Sequence, residues 1–242
     1  MARMPDRDTS IGGQRKDFPE TTWGLVRRMQ ADPSAALETL CARYWKPVHQ
    51  FVRAAWAKTN EDAKDLTQAF FMWLLESQVT KKFDPARGSF RAFLKSLLRH
   101  FVAHQNDALK RLKRGGGRKV LPLDDEAAAA EAADPKEANP EVLFDRAWVS
   151  EVTRRALDRV RRRHASDGRS AQWRAFEEYD LAKGEQPTYA ALASKLGVKE
   201  SDVRNYLFAV RERVREEIRA ELSETVADER ELQAEWDALF GK

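Results

Sequence analysis

Residues 187–218 read PTYAALASKLGVKESDVRNYLFAVRERVREEI. Thr188 offers a hydroxyl where a helix N-cap needs one. Ala190, Leu192, Ala193 and Leu196 then form a small, apolar face over two turns. Gly197 follows the last of them and can take the left-handed backbone that stops a helix, while Val198 plugs the turn. From Glu200 or Ser201 the apolar positions recur at Val203, Leu207, Val210, Val214 and Ile218, the three-and-four spacing of a longer amphipathic helix. A short helix, a glycine turn and a longer helix together predict a helix-turn-helix.

The rest of the 242-residue chain repeats the helical period and carries no strand pattern. Upstream, Asn139-Pro140-Glu141 is a helix start: cap, proline at the first position, acid in the first turn. That helix buries Val142, Leu143, Trp148, Val149, Val152, Ala156, Leu157 and Val160, and a further one holds Trp173, Phe176 and Tyr179. Nearer the N-terminus, Thr21 or Thr22 caps a short helix with Trp23, Leu25, Val26 and Met29. Pro33 opens the next, which Pro47 should kink or split. Thr59 with Asp62 approximates a capping box for a helix through Leu66, Phe70, Trp73 and Leu74. A loop broken by Pro85 and Gly88 precedes a helix from Ser89 with Phe90, Phe93, Leu94, Leu97, Leu98, Phe101 and Val102 inward. The expected fold is all-α: two helical domains joined by a flexible acidic linker. Residues 1–18 form a disordered tail, 19–114 the first domain, 115–139 the linker, 140–222 the helix-turn-helix domain and 223–242 an acidic extension.

The formal net charge is only +4, yet 34% of residues are charged and the signs come in blocks. Residues 91–119 hold nine bases and one acid, a net of +8. Residues 124–141 sum to −6, 154–163 to +5 and 221–242 to −5. Such alternation predicts polyanion-binding surfaces separated by acidic connectors. The outward face of the second helix offers Ser201, Arg204, Asn205, Phe208 and Arg211. Arginine can grip guanine with two hydrogen bonds, asparagine can read adenine and phenylalanine can touch a thymine methyl. Lys199 and Arg213 are placed for phosphates. These residues are the candidate duplex-DNA contacts.

Three stretches, in order, resemble the extracytoplasmic-function group of bacterial RNA polymerase sigma factors. EDAKDLTQAFFMWLL (61–75) is similar to the family's polymerase-binding helix. FDPARGSFRAFLKSLLRHFVAHQNDALKRLKR (83–114) is similar to the loop and basic helix that melt the promoter, and TYAALASKLGVKESDVRNYLFAVRERVREE (188–217) to the helix-turn-helix that reads the upstream element. The opening FPETTWGLV and closing SETVADERELQAEWDALF resemble a planctomycete-type variant. The similarity spans roughly residues 18 to 222. It implies that Asp62, Asp65, Gln68 and Met72 meet core RNA polymerase, at its beta-prime coiled coil, with the beta flap a second contact. It implies that Arg87, Ser89, Arg91, Lys95, Arg99, His100, Lys110 and Arg111 serve promoter melting, with Phe83 and Phe90 as core plugs. It implies an acidic linker threaded along the polymerase's nucleic-acid path, and a possible anti-sigma partner. Leu232, Trp236, Leu239 and Phe240 make the acidic extension amphipathic, either folding back on the helix-turn-helix to restrain it or packing as an extra helix. The promoter sequence is not carried over, since Tyr206-Leu207-Phe208 departs from the family pattern.

Other classes are disfavoured. The longest apolar run is residues 69–75, mean hydropathy is −0.67, and a membrane span needs about 20 apolar residues. No secretory signal is expected in the N-terminal stretch, so a cytoplasmic protein without membrane insertion is expected. Cys41 is a lone cysteine, which excludes an internal disulfide. His100 and His104 have the spacing of a metal pair, but no third ligand follows. Gly115-Gly116-Gly117 lacks the spacing and the strand of a phosphate loop. No catalytic constellation, cofactor or metal is expected. The alternative to a sigma factor is a free-standing helix-turn-helix regulator with a ligand-binding or dimerising domain, which would bind duplex DNA alone.

Overall fold

The computed structural model describes residues 33–56, 59–115 and 139–241, without the side chains of 33–37, 85 and 106–115. The predicted tail, the helix around Trp23 and nearly all of the linker lie outside the described residues. Eight α-helices and no strand are present among them: α1 (Pro33–Trp56), α2 (Asn60–Glu76), α3 (Phe90–Gly115), α4 (Pro140–Ser166), α5 (Ser170–Asp180), α6 (Tyr189–Leu196), α7 (Glu200–Ser223) and α8 (Glu229–Phe240). The all-α expectation is met. Among the described residues no helix is long and apolar enough to cross a membrane.

Local chemistry sets most helix ends. Thr59 Oγ1 accepts the Asp62 N–H at 3.2 Å, while the Asp62 carboxylate takes the Thr59 hydroxyl instead of closing a capping box. Asn139 Oδ1 accepts the Glu141 N–H at 2.9 Å with Pro140 in the first turn. Thr188 Oγ1 accepts from Ala191 N at 3.2 Å. Gly197 sits at φ 69°, ψ 32°, and Val198 N–H reaches back to the Ala193 carbonyl at 3.1 Å, which closes α6. Asp202 accepts the Lys199 N–H at 3.0 Å at the start of α7. Gly88, at φ 120°, makes the turn into α3 that a side chain would strain.

Pro47 does not split α1, which runs unbroken through it; of the two outcomes expected, the split does not occur. A mid-helix proline costs about 3 kcal/mol. Burial of Tyr44, Val48, Phe51 and Val52 on the same helix, each contributing roughly 1.5–3 kcal/mol, outweighs that cost.

A single buried cluster joins both sides of segment 116–138. It contains Tyr44, Phe51, Phe70, Leu74, Phe90, Leu94 and Leu98 from α1–α3, Phe144, Trp148, Val152 and Ala156 from α4, and Ile218, Leu222, Val226 and Leu232 beyond. The Tyr44 and Trp148 rings stack with centroids 4.4 Å apart and planes 8° apart. Burial pushes the Tyr44 hydroxyl pKa upward. A second cluster holds Val160, Trp173, Phe176, Leu192, Val203, Leu207 and Val210. Helices α4 and α7 run through both, and Val214 packs against each. The α7–α8 turn also joins the first half directly, because the Thr225 carbonyl accepts the Phe90 N–H at 3.0 Å.

Charge pairs follow the same antiparallel logic. Arg155, Arg159 and Arg163, four residues apart on α4, face Glu221 and Glu217, four apart on α7. Arg154 pairs with Glu151 and Asp158. Within the +5 block, Arg155 and Arg159 are therefore turned into the protein, while Arg154, Arg161, Arg162 and Arg163 stay exposed. Glu221 is 3% exposed, so its two arginines neutralise a carboxylate that burial would otherwise penalise.

Candidate nucleic-acid interface

The outer face of α7 is built by its opposite side. Val203, Leu207 and Val210 are buried, which leaves Ser201, Arg204, Asn205 and Phe208 exposed at the complementary helical spacing. Phe208 is 64% exposed, the most exposed large hydrophobic side chain among those described. Leaving an aromatic ring in water is unfavourable, and its neighbours here are a guanidinium and a carboxamide. The Arg204 guanidinium lies 5.9 Å from the Tyr189 ring centroid, so α6 helps to steer it. Lys199 is exposed just before this face.

Arg211 and Arg213 are placed differently. Arg211 makes two hydrogen bonds to Asp180, at 2.9 and 2.8 Å, and lies over Tyr179. The Asp180 hydrogen bonds hold the Arg211 pKa above its usual value. Its donors are turned to α5 rather than outward, against the sequence expectation. Arg213 pairs with Glu216 at 2.6 Å, an exposed contact of little energetic weight.

The basic face of α3 was expected to be open, and among its described side chains Arg91 and Lys95 are closed. Arg91 is 6% exposed. Its Nε and Nη2 donate to Glu235 at 2.5 and 3.0 Å, and its Nη1 donates to Asp145. Burial works against the guanidinium charge, yet Glu235 and Asp145 together raise its pKa. Lys95 contacts Asp145 at 2.9 Å and Glu141 at 3.6 Å, and Arg99 pairs with Glu141. Ser89 is buried and accepts the Ala92 N–H at 3.3 Å. It caps α3 rather than facing a ligand. Arg87 and His100 remain exposed. Lys110 and Arg111 lie in the last turns of α3, their side chains outside the described residues. Phe83 and Phe90 are buried edge-to-face at 5.4 Å, as core plugs.

On α2, Asp65, Gln68 and Met72 share an exposed face, while Asp62 is half-buried at the cap. Met72 is 47% exposed. Trp45 of α1, 39% exposed, stacks on Phe71 at 5.8 Å and 9° beside it. Trp45 escapes a periodicity reading, because only the neighbouring Tyr44 is on the buried stripe. An aromatic ring and a methionine are thus left exposed on adjoining helices.

Other chemistry is sparse. Among the described residues no group of three or more His, Cys, Asp or Glu could hold a metal ion. His100 and His104 are both exposed. Burial pushes the Cys41 thiol pKa upward, away from nucleophile behaviour. A groove of 390 Å³ lies between α4 and α8, lined by Val142, Asp145, Arg146, Val149, Ala238 and Leu239. A scan against protein-family models found no match to this chain, and searches of curated proteins and of solved structures found none either.

Proposed function

We propose that the chain is a sigma factor of the extracytoplasmic-function type, acting within RNA polymerase holoenzyme in the bacterial cytoplasm and carrying no catalytic site of its own. The observation that carries the reading is the start of α7: Arg204, Asn205 and Phe208, exposed on one face just after the Gly197 turn. Those are base-reading side chains on a rigid helix. The pair α6–α7 is then a helix-turn-helix, with Lys199 and Ser201 at its edge on phosphates. The exposed Asp65, Gln68 and Met72, with Trp45 beside them, serve as the core-polymerase surface. Residues 115–139 join two functional parts, one that binds polymerase and melts DNA and one that anchors the upstream duplex.

The test is run-off transcription with purified core polymerase on a library of genomic promoters. The expected result is initiation at defined sites, lost when Asp65 and Gln68 are both changed to Ala. Absence of specific initiation with active core polymerase would overturn the reading. Tight, dimeric binding of duplex DNA by the chain alone would favour the free-standing regulator instead.

A further inference from the structure

We propose that the Arg91–Lys95–Arg99 face of α3 is a nucleic-acid-binding surface held shut in the free chain by three carboxylates, Glu141 and Asp145 of α4 and Glu235 of α8, which occupy the places of phosphates. The proposal rests on the reading of α3 as a DNA-facing helix and adds to it a closed state with named contacts.

Three observations support it. The first is register. Arg91, Lys95 and Arg99 lie four residues apart on one stripe of α3, and Glu141 and Asp145 lie four apart on α4. Arg99 meets Glu141, Lys95 meets both acids and Arg91 meets Asp145, in the order of antiparallel helices. Glu235 closes the row from a third helix by gripping Arg91 with both carboxylate oxygens. Every cation of the stripe is thereby given an anion from a chain-distant helix.

The second is a gradient of closure. Side-chain exposure rises from 7% at Arg91 through 13% at Lys95 to 57% at Arg99. A single strand can therefore engage Arg99 first and displace the carboxylates in turn. Charge-assisted hydrogen bonds to phosphate match those to carboxylate in kind, so the exchange replaces like with like.

The third is the character of the clamp. Buried ion pairs are weak devices for permanent packing, since apolar residues of similar volume hold as well or better. They do suit faces that must each be soluble once parted. The outermost element, α8, is a twelve-residue helix ending at Phe240, attached by Leu232, Trp236, Leu239 and Phe240. A short helix held by four apolar side chains can open locally while the rest of the fold stays closed. The acidic extension thus packs as the extra helix that the sequence offered as one alternative, resting on the far end of α7 through Arg219 and reaching α3 through Glu235.

The experiment uses the full chain and a fluorescent single-stranded oligo(dT) of twenty nucleotides. Glu235→Gln combined with Glu141→Gln and Asp145→Asn keeps shape and removes charge. This variant should bind at least about tenfold more tightly than the parent. Its log–log salt dependence should steepen by about two, near the slope of three newly engaged phosphates on a single strand at ~0.7 each. Adding Arg99→Ala to that background should reverse most of the gain. In the unaltered chain, saturating oligo(dT) should speed amide exchange across residues 229–240 at least threefold, a readout that needs no variant. Unchanged affinity and salt slope, a gain that survives Arg99→Ala, or unchanged exchange in α8 would each overturn the clamp. Run-off transcription separates the two ideas: failure there with tighter strand binding by the open variant sinks the sigma assignment and leaves the clamp standing.

Discussion

Replacing Trp148 with alanine should destabilise the whole chain rather than one half of it. Trp148 belongs to α4, beyond segment 116–138, yet its side chain is fully buried and stacked on Tyr44 of α1 at 4.4 Å. Arg155 lies 5.6 Å from the ring centroid on the same helix. Truncating a buried tryptophan to alanine typically costs about 3–5 kcal/mol in transfer and cavity terms. The near-parallel stack places this site toward the upper part of that range, since aromatic pairs contribute about 0.5–1.5 kcal/mol beyond burial. For a chain of this length each kcal/mol shifts Tm by roughly 2–4 °C, so a fall of roughly 8–20 °C is expected. Far-UV circular dichroism measures the melt. Native-state amide exchange then locates the loss. Protection should fall in α1 around Tyr44 and Val48 as much as in α4. A Trp148→Phe variant should recover more than half of the lost stability by keeping an aromatic partner for Tyr44. A loss below about 1 kcal/mol, or reduced protection confined to α4, would refute the shared core.

Two further outcomes follow from one exposed and one buried group. Phe208→Ala should leave the melting temperature within about 1 °C, because an exposed site away from packing contributes little to folding, while duplex promoter affinity in holoenzyme falls about 5–30-fold, the equivalent of about 1–2 kcal/mol; a stability loss without a binding loss would reverse that assignment. Glu151 carries an acid-sensitive part of the stability. Its burial raises the carboxyl pKa, but hydrogen bonds from Arg154 and Lys46 outweigh it and leave the net shift downward. A carboxyl whose folded pKa lies below its unfolded value stabilises fully above the unfolded value. That contribution disappears as pH falls below the ordinary 4.5 and through the lowered value. Urea titrations at neutral pH and at acid pH should therefore show a smaller acid loss for Glu151→Gln than for the parent chain, and equal losses would rule the group out.

Helix ends were readable because their chemistry is local. Thr59, Asn139, Thr188 and Gly197 each act within four residues of themselves, and each caps its helix, though Asp62 does not complete a capping box with Thr59. The all-α class was readable for the same reason, from apolar spacing within single helices. That Pro47 leaves its helix unsplit was not readable, because the local penalty is visible in sequence and the compensating burial is not. Within the candidate interface, Arg204, Asn205 and Phe208 were legible as the face opposite Val203, Leu207 and Val210. Arg211 looked equivalent to them, and only the position of Asp180, 31 residues earlier, removed it. Ser89 was assigned to promoter melting through the resemblance, whereas the turn into α3 uses its hydroxyl as a cap. Trp45 carried no periodic signal because it lies off the buried stripe of α1, and it emerges only beside Phe71 and Met72.

The alternating charge blocks divide along the same line. Sequence by itself determined the sign of each block and the four-residue spacing within it: Arg91, Lys95 and Arg99; Glu141 and Asp145; Arg155, Arg159 and Arg163; Glu217 and Glu221. Which block faces which is a property of helices brought together across the chain, as with Arg91 and Glu235, 144 residues apart. Apolar burial at Tyr44, Trp148 and Ile218 sets that arrangement, and the charges then pair with whatever the packed helices bring within reach. Because Coulomb attraction has no direction along the sequence, a run of basic residues reads the same whether it awaits a phosphate or already holds a carboxylate. Tertiary structure decided that for this chain, and it left the start of α7 open while closing Arg91 and Lys95 on α3.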